Sequence, residues 1–83
     1  MGKILIHDLF EIYIFTKDHL PSHFHVYFPK KGNYKGHVKI EMDSLEVIEL
    51  DGISRKDLSK LRSFLTQERI ETLKDEWERL HGE

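Results

Sequence analysis

Three histidines fall within seven residues of one another in the segment Asp18-His19-Leu20-Pro21-Ser22-His23-Phe24-His25-Val26. Imidazole is the one side chain that gains and loses a proton near neutrality without a shifted pKa. His23 and His25 are two positions apart, so on a strand both rings share one side, roughly 7 Å apart along it. A pair placed in this way suits acid–base chemistry on a phosphodiester. One neutral imidazole takes the proton of a ribose 2′-hydroxyl, and one imidazolium protonates the leaving oxygen. His19, oriented by Asp18, would support them, and Lys39 would stabilise the charge that develops on phosphate.

The same residues admit two other readings. A His-x-His pair on a strand can chelate, and His19 or His37 would complete a three-histidine metal site with an open position. Alternatively the histidines are structural or sit in a partner interface, with Asp18 forming an Asx turn before Pro21. Residue types and spacing leave all three open.

The elements that must position these groups follow from periodicity. Phe10, Ile12 and Ile14 alternate with Glu11, Tyr13 and Phe15, and Phe24, Val26 and Phe28 with His23, His25 and Tyr27. Val38, Ile40 and Met42 alternate with His37, Lys39 and Glu41. A period of two reads as half-buried strands. Ile4–His7 and Leu45–Leu50 are candidates for two more. Leu20-Pro21-Ser22 breaks the chain before the histidine strand, because a residue preceding proline avoids the helical region. Pro29-Lys30-Lys31-Gly32-Asn33 reads as a hairpin loop with a basic tip, and Asp43-Ser44 as a tight turn. Short links between sequential strands predict an antiparallel meander.

After Asp51-Gly52 the period becomes helical. Ser54 stands three residues before Asp57, in the manner of a capping box, and Thr66 is a second cap. Leu58, Leu61 and Leu65 share one face, and Ile70, Leu73, Trp77 and Leu80 follow at helical spacing. The expectation is an α+β fold with a four- to five-stranded antiparallel sheet and two C-terminal helices on one face. The opposite face then presents Tyr13, Phe15, His23, His25, Tyr27, His37, Lys39 and Glu41. Tyr13, Tyr27 or Phe15 there could stack a base, as aromatic side chains on open sheets do. His7 reads as a partly exposed filler of the first strand.

Composition narrows the remaining classes. The chain has 83 residues, 39% hydrophobic and 34% charged, which fits a single domain, residues 1–51 forming its sheet part and 52–83 its helical part. It contains no alanine, so its apolar side chains are nearly all large. A core of this size is small, and a homodimer would add to its stability. The absence of cysteine removes disulfides, thiolate zinc sites and cysteine nucleophiles. No apolar run approaches a membrane span and the N-terminus lacks a signal-peptide pattern, so a cytoplasmic protein is expected. Net charge is −2. Residues 1–42 carry six lysines against four acids, and residues 43–83 seven bases against eleven acids. There is no Gly-rich phosphate loop, serine triad or paired-carboxylate motif, and no cofactor is expected.

The segment Asp18, His19, Pro21, His23, Phe24, His25, Val26, preceded by Ile12 and Ile14 and followed later by Trp77, resembles the bacterial domain-of-unknown-function 4160 family. That family's mark is Asp-His-x-Pro-Pro-His-Phe-His-Val, and Ser22 replaces its second proline here. The resemblance implies a short sheet followed by two helices. It also implies a small protein encoded beside a second small protein, in an arrangement like that of toxin–antitoxin pairs. The expected partners are therefore a cognate small protein and RNA, and the resemblance assigns no role to any one histidine.

Overall fold

A computed structural model describes residues 3–15, 19–28 and 36–81, with side chains from Leu5 onward. Asp18 and the Lys30-Lys31 tip lie outside the described residues. Five strands, β1 (Lys3–Ile6), β2 (Glu11–Tyr13), β3 (His23–Phe28), β4 (Gly36–Glu41) and β5 (Val47–Asp51), precede α1 (Arg55–Phe64) and α2 (Gln67–His81). The strands lie in sequence order and every neighbouring pair is antiparallel. The fold is α+β, a five-stranded meander with two C-terminal helices.

Alternation on the strands decides the two faces. Phe10, Ile12, Ile14, Phe24, Val26, Phe28, Val38, Ile40 and Met42 are all buried on one side, in one cluster with Leu61, Leu73 and Trp77 of the helices. Leu58, Phe64, Leu65 and Leu80 pack partly against it, while Ile70 is half-buried. The helices start where side-chain caps satisfy their first amides. Ser54 Oγ accepts from the Asp57 amide at 3.1 Å, and Thr66 Oγ1 from the Arg69 amide at 3.3 Å. Leu65 and Thr66 separate the two helices, whose junction is held by Arg69: its guanidinium donates to the Phe64 carbonyl at 3.0 Å and sits 4.1 Å above the Phe64 ring.

The turns serve the sheet. Glu41 N–H donates to the Glu46 carbonyl and Leu45 N–H to the Glu41 carbonyl, with Leu45 at a φ of 63°. Ser44 Oγ donates to the Glu41 carboxylate at 2.6 Å and accepts from the Glu46 amide. The start of β3 is tied to the end of β4 by Met42 N–H donating to the Ser22 carbonyl, next to the cis Leu20–Pro21 peptide.

Candidate functional site

Strand register arranges the second face in rows. Tyr13 pairs with His25, His25 with Lys39 and Lys39 with Glu49; one row over, Glu11 pairs with Tyr27, Tyr27 with His37 and His37 with Asp51. His23 faces Glu41 at the end of the strands. The paired side chains expected on this face are therefore on it, and Phe15 joins them through its ring contacts with Tyr13 and His25; Asp18, expected to orient His19, is outside the described residues.

The face is not open, however. His23 and His25 are only 6% and 9% exposed, and Tyr13, Phe15, Tyr27, His37, Lys39 and Glu41 are half-buried. Rings close over one another across the register. Phe15 lies 4.9 Å from His25 between centroids, His25 5.0 Å from His23, and Tyr27 4.9 Å from His37. Tyr13 meets both Phe15 and Tyr27. A sheet face built of flat side chains buries itself, because large rings on neighbouring strands fill each other's gaps.

Within this layer the histidines are not equivalent. His25 Nδ1 and His37 Nε2 are 3.1 Å apart, with ring planes 19° from parallel and centroids 5.4 Å apart. The rings thus lie side by side, one nitrogen donating and the other accepting. Burial pushes the His37 pKa below its ordinary value; Glu49 opposes the shift, Lys39 adds to it and Asp51 opposes it. Tyr13 donates to Glu11 at 2.7 Å, and this bond, with burial, holds its phenol above the usual value.

His23 is set differently. Its Nδ1 lies 2.8 Å from the Pro21 carbonyl oxygen. A carbonyl only accepts, so Nδ1 carries the hydrogen and, in the neutral ring, Nε2 carries the lone pair. The turn through Pro21 thereby selects the tautomer. The ring also abuts Trp77 of α2, at 5.6 Å between centroids.

His23 opens onto a concavity of about 370 Å³ that it shares with His19, Leu20, Pro21, Lys39, Glu41 and Ile48. Lys39 Nζ is 3.6 Å from the Glu49 carboxylate, and Glu41 is hydrogen-bonded to Ser44. Two imidazoles and an ammonium thus line one hollow. The rest of the expected site, His25 with Tyr13, Tyr27 and His37, forms the adjoining ring layer. Among the described residues no group of three His, Asp or Glu side chains is arranged to hold a metal ion. The face also owes Glu49, Asp51 and Ile48 to β5, which periodicity did not assign to the site.

A model of a domain of unknown function, DUF4160, matches residues 10–78. The chain belongs to this family. The match spans β2 to α2 and so takes in the histidine turn, both ring rows and Trp77. Neither a curated protein nor a solved structure matches the chain. DUF4160 membership gives the family alone. Among the described residues, no helix is long and apolar enough to cross a membrane.

Proposed function

We propose that this protein is the RNA-acting component of a toxin–antitoxin-like module, cleaving a phosphodiester in the hollow beside His23. The observation that carries the reading is the fixed tautomer of His23, with its Nδ1–H held by the Pro21 carbonyl, in a concavity that also holds His19 and Lys39. His23 Nε2 takes the proton of the ribose 2′-hydroxyl, whose oxygen attacks phosphorus. His19, as imidazolium, gives its proton to the departing 5′-oxygen as that P–O bond breaks, leaving a 2′,3′-cyclic phosphate. Lys39 stabilises the added charge on the phosphoryl oxygens. His25, engaged with His37, stands behind His23 as part of the ring layer that fixes it. This differs from the simplest sequence reading, in which His23 and His25 share the acid and base roles.

A second reading is a non-catalytic interface, supported by the apolar rim. Leu20 is 81% exposed and Ile48 44% exposed on the same concavity. The two readings are compatible, since an inhibitor protein would cover the site it blocks.

The test is induced expression in a bacterial host. Wild type should arrest growth and degrade RNA, while an equally abundant, folded His23→Ala variant does neither. Growth and RNA unaffected by wild type would remove the toxin reading. Partner capture lost in Leu20→Glu with no RNA damage would leave the interface alone.

A further inference from the structure

A second set of groups lies on the helical layer, away from the histidine face. Helix α1 carries Arg55, Lys56, Lys60 and Arg62 against one carboxylate, Asp57, a net charge of +3 over ten residues. All four cations are exposed. The ion pairs among the described residues involve Lys39, Lys74 and Arg79 and none of these four.

Two adjoining concavities run along this helix and share Ser59 and Ser63. One, of about 430 Å³, is lined by Arg55, Leu58, Ser59, Arg62 and Ser63. The other, of about 520 Å³, is lined by Ser59, Lys60, Ser63 and Phe64 together with His7 and Leu9. Arg55, Ser59 and Ser63 follow at intervals of four residues, with Arg62 three after Ser59 and beside Ser63, so they form one stripe that repeats about once per turn of 5.4 Å. Cations and hydroxyls in such a stripe are the groups that hold successive phosphates of a polynucleotide.

His7 supplies what a merely cationic surface lacks. Its ring stacks on Phe10 with centroids 4.4 Å apart and planes 5° from parallel. Its Nδ1 accepts the Leu9 amide at 3.0 Å, which holds the ring in place. Phe10 is fully buried, so one face of His7 is against the core while the ring borders the concavity. A held, half-buried imidazole beside exposed Leu9 makes a platform on which a base can stack.

We infer that the α1 stripe and His7 form a second site, which binds single-stranded RNA through phosphates on Arg55, Ser59, Arg62 and Ser63 and a base stacked on His7. An acidic peptide would use the cations and have no use for the platform. The site does not depend on cleavage at His23.

Binding is measured by fluorescence anisotropy with a labelled 2′-O-methyl oligoadenylate, which the chemistry proposed at His23 cannot cut. Wild type binds at low salt, and affinity falls as salt rises. Arg55→Glu/Arg62→Glu weakens binding by at least about tenfold and flattens its salt dependence. His7→Ala weakens it by at least about fivefold and leaves the salt slope unchanged. The changed side chains of the charge reversal are exposed, and circular dichroism verifies the fold of each variant. Failure of wild type to bind overturns the inference, as does full affinity in His7→Ala. Polyglutamate competing as well as unlabelled RNA would reassign the stripe to an acidic protein. Salt-sensitive self-association abolished by the same reversals would reassign it to a second copy. Loss of binding in a folded His23→Ala variant would move the RNA to the histidine face and equally overturn the inference.

Discussion

His25 Nδ1 and His37 Nε2 meet at 3.1 Å across β3 and β4, so a single hydrogen lies between the two rings. Two imidazolium rings would turn two N–H groups on each other, so in this geometry the pair carries at most one positive charge. The His37 pKa is lowered chiefly by burial, so the unfolded chain binds protons more readily than the folded one. This contribution to stability is complete above the unfolded value of about 6.5. It declines as pH falls through that value and levels off below the folded one. The melting temperature should therefore drop between neutral and mildly acidic pH, and His37→Gln should shrink that drop. A drop of the same size in His37→Gln would refute the assignment.

The same pair predicts energetic coupling. His25→Ala and His37→Ala each remove one partner of a half-buried hydrogen bond, and either loss costs about 1–3 kcal/mol. Because both lose the same bond, the double variant should be more stable than the sum of the single losses implies, by about 1 kcal/mol. Denaturant unfolding of the four proteins measures this. Strict additivity would mean that the contact contributes nothing.

Trp77 joins the core to the catalytic candidate. Its indole stacks on His81 at 3.8 Å and abuts His23 at 5.6 Å, and His81 Nδ1 donates to the Trp77 carbonyl at 3.0 Å. Trp77→Ala should cost about 3–5 kcal/mol, a large part of a small domain's stability. Trp77→Phe should fold with a smaller loss while changing the environment of the His23 ring. The His23 imidazole resonances in an NMR spectrum of that variant should shift. Unmoved resonances would show that α2 does not support the site.

Much of this architecture is legible in the amino-acid order. Alternation in Phe24–Phe28 and Val38–Met42 places each side chain on its observed face, and Ser54 and Thr66 mark both helix starts. The part that β5 plays in the site and the closure of the ring layer are less visible, for a physical reason. Periodicity assigns a side chain to a face and says nothing of its neighbours across strands. Register pairs His25 with Lys39 and sets His37 diagonally beside it, and these neighbours, with Phe15 and His23, bury His25. The split between the His19/His23 hollow and the His25/His37 pair arises in the same way. The basic stripe of α1 is hidden in the charge balance of residues 43–83, where its four cations are outnumbered by the acids before and after the helix. His7 gains meaning only once Phe10 is seen beneath it.

Gly36 opens β4 opposite Phe28. A Cβ there would collide with the Ile53 side chain and come within 2.9 Å of the Gly52 carbonyl oxygen. Gly36→Ala should therefore cost about 1–3 kcal/mol, as overpacking does, although alanine suits a strand better than glycine. Chemical denaturation measures it, and an unchanged midpoint would mean that the Gly52–Ile53 segment yields freely.

The most direct measurement is of purified, untagged protein incubated with single-stranded RNA in a metal chelator, with the product ends identified by mass spectrometry. Wild type should yield 2′,3′-cyclic phosphate ends and leave the 2′-deoxy analogue intact. Folded His23→Ala and His19→Ala should each be slower by at least about a hundredfold. Intact RNA with folded wild type, or cleavage that persists unchanged in His23→Ala, would contradict an active site in the hollow beside β3.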